Sequence, residues 1–235
     1  MAALFYLILG RKMGRRIQEV KILPERLKIN EKNLQCAANI YNRYNDCDIL
    51  VVYSRSKTLP YEIFEFMVES SHFQHLAGVK YPKGADLFYT KCLSGDITMK
   101  DIVPTENMKT TSSKIEVLPQ ALDLYSAKMY KIGKKDLETL KNRFSMGIGN
   151  SQTIMGLDKR NQRLPVPVTV MNRKITDFCS VPCSIFLIMK EKIGFEKYAQ
   201  LVYEKTKDIL LKIEFSDNIK DKIDSSKIKN NSLKT

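Results

Sequence analysis

The order of hydrophobic periods along the chain constrains the fold most. Glu31 to Tyr44 repeats Leu34, Ala37, Ala38 and Tyr41 at i, i+3, i+4 and i+7, which makes one apolar stripe on a helix. Directly after it, Asp48 to Tyr53 is a β-branched run. Beyond the turn at Leu59 and Pro60, Tyr61 to Val68 sets Phe64, Phe66 and Val68 on one face. Two strand patterns in succession point to a hairpin rather than a βαβ crossover. Helical patterns return in Gly84 to Leu93, which Gly95 ends, and in Leu118 to Lys131, with Pro119 at its first turn and Gly133 closing it. Asp136 to Arg143 suggests one more helical turn. Phe144 to Leu157, with Gly147, Gly149 and Gly156, suits a twisted hairpin. Val166 to Met171 and Cys183 to Met189 have strand residue types, while Tyr198, Leu201, Val202 and Ile209 stripe a C-terminal helix. Helices and strands therefore mix without βαβ regularity, and the expected class is α+β.

With 235 residues, 43% of them apolar, the chain is long enough for a sizeable core. No internal repeat and no Gly/Ser or Pro linker divides it. Lys and Arg number 39 against 26 Asp and Glu, a formal charge of +13. Such a balance favours a polyanionic partner, although the same charge also serves solubility. The five cysteines, Cys36, Cys47, Cys92, Cys179 and Cys183, are an odd, scattered set without a C-x-x-C pair. They form neither a disulfide framework nor a zinc signature, so a reducing, cytoplasmic setting is expected and no metal site. Ala2 to Leu9 is too short to cross a bilayer, and the basic stretch Gly10 to Arg16 follows where a signal peptide would be cleaved. That run reads as a core strand or a helix start, and no membrane partner is expected. From Asp217 onward Lys, Asp, Ser and Asn dominate, which suggests a flexible basic tail over 217–235.

Chemistry has few places to sit. The only two histidines, His72 and His75, fall in Ser70-Ser71-His72-Phe73-Gln74-His75-Leu76-Ala77-Gly78, just after a predicted strand. Histidine exchanges protons near neutrality without a large pKa shift, and a strand end would present it at the rim of a sheet. Two structural histidines would look the same at this level. Walker, G-x-S-x-G and dinucleotide patterns are missing, and no metal-binding cluster of acidic residues is expected.

The segment Tyr61 to Ile102 resembles the phage-type nucleases of the barnase, EndoU, colicin and RelE-like class. An apolar strand leads there into Phe73-Gln74-His75-Leu76-Ala77-Gly78-Val79-Lys80, followed by a helix reading Leu87-Phe88-Tyr89-Thr90-Lys91-Cys92-Leu93-Ser94-Gly95. In that class the corresponding phrases are close to Phe-x-His-Leu-Thr-Gly and Phe-Tyr-x-Lys. Later blocks are similar as well: Lys114 to Leu118, Gly147-Ile148-Gly149-Asn150 with Gly156-Leu157, Leu164 to Thr169, Ile185 to Lys190, and Tyr198 to Tyr203. The resemblance covers most of the chain from about Glu31. One departure is Ala77, where the class carries a small hydroxyl residue.

The resemblance implies N-terminal helices packed on an antiparallel sheet of about four strands, and it gives a nuclease-like domain over 31–216 with residues 1–30 as an N-terminal extension. It implies a metal-independent endoribonuclease without a cofactor, of phage or mobile-element origin and of toxin or effector type. By family position His75 is the expected general acid or base, Lys91 and Lys190 the phosphate stabilisers, and Thr169 and Ser151 the hydroxyl contributors. RNA contacts are expected at His72, Lys80 and Tyr89. The aromatic set Phe73, Tyr81, Phe88 and Tyr89 would serve either as a stacking platform or as core. RNA is the expected partner, with an antitoxin or host protein as a possible second. Two rivals stand beside this reading: a catalytically inactive RNA- or nucleoprotein-binding module on the same fold, and a protein partner of a nucleic-acid machine.

Overall fold

A computed structural model describes residues 24–56, 60–136, 144–212 and 215–224. The Ala2 to Leu9 run, nearly all of the turn expected at Asp136 to Arg143, and residues 225–235 lie outside the described residues. Helix α1 (Pro24–Asn42) opens on a proline, whose fixed φ and missing N–H suit a first helical turn. Its stripe of Leu34, Ala37, Ala38 and Tyr41 is fully buried, as the spacing predicts. Strands β1 (Cys47–Ser54) and β2 (Glu62–Val68) pair antiparallel with Ile49 opposite Phe66, which is the expected hairpin. Then come α2 (Ser70–Ala77), β3 (Val79–Lys80), α3 (Ala85–Ser94), β4 (Val103–Pro104) and α4 (Met108–Leu122). Gly95 takes the left-handed conformation that ends α3, again as expected.

Strands dominate the second half: β5 (Lys131–Lys134), β6 (Met146–Gly149), β7 (Ile154–Asp158), β8 (Val166–Met171), β9 (Cys183–Lys192) and β10 (Gln200–Glu204). Two short helices, α5 (Ile209–Lys212) and α6 (Asp217–Lys220), follow. Among the described residues eight strands form one antiparallel sheet, ordered β2-β1-β9-β5-β6-β7-β8, so the sheet is about twice as wide as expected. One edge of β9 lies along β1. The other is shared, with β5 against Cys183 and Ser184 and β10 against Leu187 to Lys190. The sheet curls until its outer strands approach each other, and the Met67 N–H donates to the Pro165 carbonyl at 2.9 Å.

Helices α1 to α4 cover one face of the sheet. Tyr41, Phe66, Phe73, Phe88, Ile115 and Leu118 are buried there with Ile132, Ile148, Val170 and Ile188 from the strands. Each such side chain contributes about 1.5–3 kcal/mol by leaving water. On the opposite face of β5 to β8, Gly133, Gly147 and Gly156 stand in register across three strands. Phe144 and Cys179 fill the space that side chains there would take. A third cluster joins Leu50, Val52 and Met189 to Tyr198, Ile209, Phe215, Ile219 and Ile223.

Four expectations change. The long helix runs over Met108–Leu122 rather than from Leu118, because Asn107 caps it by accepting the Thr110 N–H at 2.9 Å. Pro119 lies in its last turn, where little helix remains to be interrupted. Gly133 is a strand residue placed against Cys179, not a helix stop. Tyr198 to Val202 feeds strand β10 because the free half of the β9 edge takes it up, so no helix forms there. The expected tail starts too early: Ile219 and Ile223 are buried, and Lys222 meets Glu65 at 3.0 Å. Among the described residues no helix is long and apolar enough to cross a membrane.

Candidate functional site

Both histidines lie on helix α2 rather than at a strand end. The Glu69 N–H donates to His72 Nδ1 at 3.4 Å, and His72 Nε2 lies 3.8 Å from the Glu69 carboxylate. His72 therefore closes the start of the helix. Its pKa is lowered, first by burial and then by the nearby His75. A histidine that resists protonation when folded makes the unfolded chain the better proton acceptor. Stability should accordingly be complete above the ordinary histidine pKa of about 6.5 and decline as pH falls below it. Thermal melts of the wild type and His72→Gln across that range check this, because the variant should lose part of the slope. An identical slope would remove His72 as its source.

His75 stands exposed in the last turn of α2. Gly78 ends the helix at φ +68°, which only glycine adopts at low cost. Its carbonyl accepts from the Thr105 N–H at 3.0 Å, the Thr105 hydroxyl at 3.0 Å and the Thr111 hydroxyl at 3.1 Å. The Lys114 stem lies over the place where a Cβ would stand. The turn between β4 and α4 and the first turn of α4 thus hold this helix end in one position. Ala77 is fully buried in the core, so a hydroxyl at that position would point into apolar surroundings rather than toward solvent.

Helices α2 and α4 both pack on β8, and further along α4 an open polar cleft of about 350 Å³ begins. Its walls are the end of α4 (Val117, Gln120), the β6–β7 turn (Ser151, Gln152) and the segment after β8 (Asn172, Arg173, Lys174, Asp177). Those walls are tied together. The Asn150 side-chain oxygen accepts the Gln152 and Thr153 N–H groups, at 2.7 and 2.9 Å, and the Ile175 N–H donates to the Asn150 carbonyl at 2.9 Å. Gln120 Nε2 donates to Gln152 Oε1 at 3.2 Å, closing the third side. The cleft offers amides, one hydroxyl, two cations and one carboxylate, a set suited to a phosphorylated polar ligand. Among the described residues no group of three or more His, Cys, Asp or Glu side chains is arranged to hold a metal ion.

A family model described as phage-Barnase-EndoU-ColicinE5/D-RelE like nuclease4 matches residues 33–207. The chain belongs to this nuclease family. The match takes in α2, every wall of the cleft and the whole of the sheet, while α5 and α6 lie beyond it. No curated protein and no solved structure matches the chain.

In this member of the nuclease family the residues singled out from sequence are spread over several surfaces. Ser151 lines the cleft, whereas His75, Lys91, Thr169 and Lys190 are not among its lining residues. Lys91 is half-buried in the last turn of α3. Thr169 pairs with Gly156 across β7 and β8 and turns its methyl group toward it. Lys190 Nζ donates to the Arg43 carbonyl and lies 5.9 Å from the Tyr125 ring, at the far end of β9 from the β5 pairing. Lys80 is exposed on β3. Tyr89 needs correction as an RNA contact: it is 5% exposed, packs on Tyr41 and Phe73, and donates its hydroxyl to Asn42 Oδ1 at 3.1 Å. A side chain so enclosed has no free face for a base. The cleft also brings in Gln120, Gln152, Asn172, Arg173 and Lys174, none of which a sequence motif singles out. The basic pair Arg173-Lys174 at the exit of strand β8 is the signal available, since loops at strand ends gather binding residues.

Proposed function

We propose that this family member is a metal-independent endoribonuclease that cuts RNA by attack of the 2′-hydroxyl on the adjacent phosphate. The observation that carries the reading is the family match over residues 33–207, which spans the helix end bearing the exposed His75. In such a reaction one group takes the 2′-hydroxyl proton and one protonates the leaving 5′-oxygen, while donors steady the crowded phosphorane. His75 is the proton-exchanging group of this proposal. The nucleophile belongs to the substrate, so the chemistry does not depend on a metal to activate water. A phage-derived toxin or effector acting on cytoplasmic RNA, held in check by an antitoxin or a host protein, is the setting that fits this activity.

The deciding experiment incubates the purified protein with total RNA in excess chelator and maps the ends. Cleavage should persist, and a substrate with deoxyribose at the cut site should be spared. Activity that needs a divalent ion would replace this mechanism with metal-assisted hydrolysis, and binding without cutting would favour an inactive module. With a formal charge of +13, affinity for unrelated RNAs should also fall steeply with salt, because each neutralised phosphate releases counterions. A flat salt response would remove charge as the source of affinity.

A further inference from the structure

The cleft between the β6–β7 turn and the segment after β8 has a shape and a donor set of its own, and His75 does not line it. We propose that it is a single-nucleotide subsite, in which Arg173 and Lys174 hold one phosphate while the Asn172, Gln120 and Gln152 amides read the attached base. This rests on the nuclease reading for the identity of the ligand. Size comes first: about 350 Å³ lies near the lower end of the range for small-molecule pockets, a space on the scale of one nucleotide. Charge comes second. Two cations and the Asp177 carboxylate leave a net single positive charge among the lining residues, which matches one phosphodiester.

The amides supply the third argument. The bond from Gln120 to Gln152 uses one donor of the first and the acceptor of the second. The pair still offers a carbonyl oxygen and amide hydrogens, the alternation that base edges present. Preorganisation is the fourth. Asn150 is only 8% exposed and spends its side-chain oxygen and its carbonyl on the two flanking turns, so the cleft walls are positioned before any ligand arrives. A site built in advance loses less affinity to ordering.

The test uses fluorescence anisotropy with single-stranded oligonucleotides that carry 2′-O-methyl riboses and so cannot be cut by their own 2′-hydroxyls. Arg173→Ala combined with Lys174→Ala should weaken binding at least about tenfold, and it should flatten the salt dependence by roughly one phosphate's worth. Lys159→Ala with Arg160→Ala removes the same charge from exposed positions outside the cleft and should cost far less. Asn172→Ala should keep most of the affinity but reduce the spread among the four homopolymers by about threefold or more. Equal losses in the two double variants, or an unchanged spread with Asn172→Ala, would overturn the subsite. Cutting of natural RNA by the wild type is scored separately. A protein that cuts RNA yet binds these probes independently of Arg173 and Lys174 refutes the subsite alone, whereas a protein that neither cuts nor binds refutes both readings.

Discussion

Replacing His75 with alanine is expected to slow RNA cleavage by about two to four orders of magnitude, the usual loss when a positioned proton donor or acceptor is removed. The fold should stand, because the side chain is exposed and the core contacts of α2 come from Phe73, Leu76 and Ala77. Affinity for RNA should barely move, since Lys and Arg supply most of it. His72→Ala is the informative partner. It removes the side chain that receives the Glu69 N–H, so its main cost should be about 1 kcal/mol of stability, with a much smaller effect on the rate. Full activity in a folded His75→Ala protein would falsify the assignment and shift attention to Ser151 and the cleft. An unfolded His75→Ala protein would show that the residue supports the helix end instead.

The largest expected loss of stability is at Gly149. A Cβ there would stand 2.2 Å from the Thr153 carbonyl oxygen and 2.8 Å from Ile154 Cα, backbone atoms where the turn enters the paired strand. Neither can swing aside as a side chain does, so β6 and β7 must part. Gly149→Ala should cost about 3 kcal/mol, the upper range for overpacking a tight interior. Gly147→Ala is the contrast, because its Cβ would meet the tip of Ile154, which can change rotamer, and about 1 kcal/mol should suffice. Denaturant midpoints of the two variants decide the matter. Equal shifts would mean that the hairpin yields as easily as a side chain. The Gly149 variant should also lose activity, as the turn that carries Ser151 begins one residue later.

Local chemistry made the first third of the chain readable. The β-branched run at Ile49 to Val52 and the glycine after Ser94 each specify a structure from their own residue types, and both were placed correctly. The failures share a different cause. Thr110, Thr111, Ser112 and Ser113 are poor helix formers, so the true start of α4 was hidden and Pro119 looked like a beginning. Burial in the core, with Ile115 and Leu118 fully enclosed, overrides that weak propensity. Tyr198 to Val202 carries a spacing that fits a helix, and only the unpaired half of β9 makes it a strand. As for the site, the motif around His75 was visible as a phrase, but the cleft was not. Its walls come from segments near positions 120, 151 and 173, and no local pattern announces that the fold brings them together.

The central place of β9 also governs when this protein can assemble. In the finished sheet Val51 faces Ile188, so β1 acquires one of its two neighbours only once the chain has grown past that residue. At cellular elongation rates the two strands leave the ribosome on the order of 10 s apart. During that interval a nascent chain displays Ile49-Leu50-Val51-Val52 on an open edge, a segment prone to mispairing with other strands. A delay in activity is the consequence, because the sheet cannot close before Cys183–Lys192 has been made.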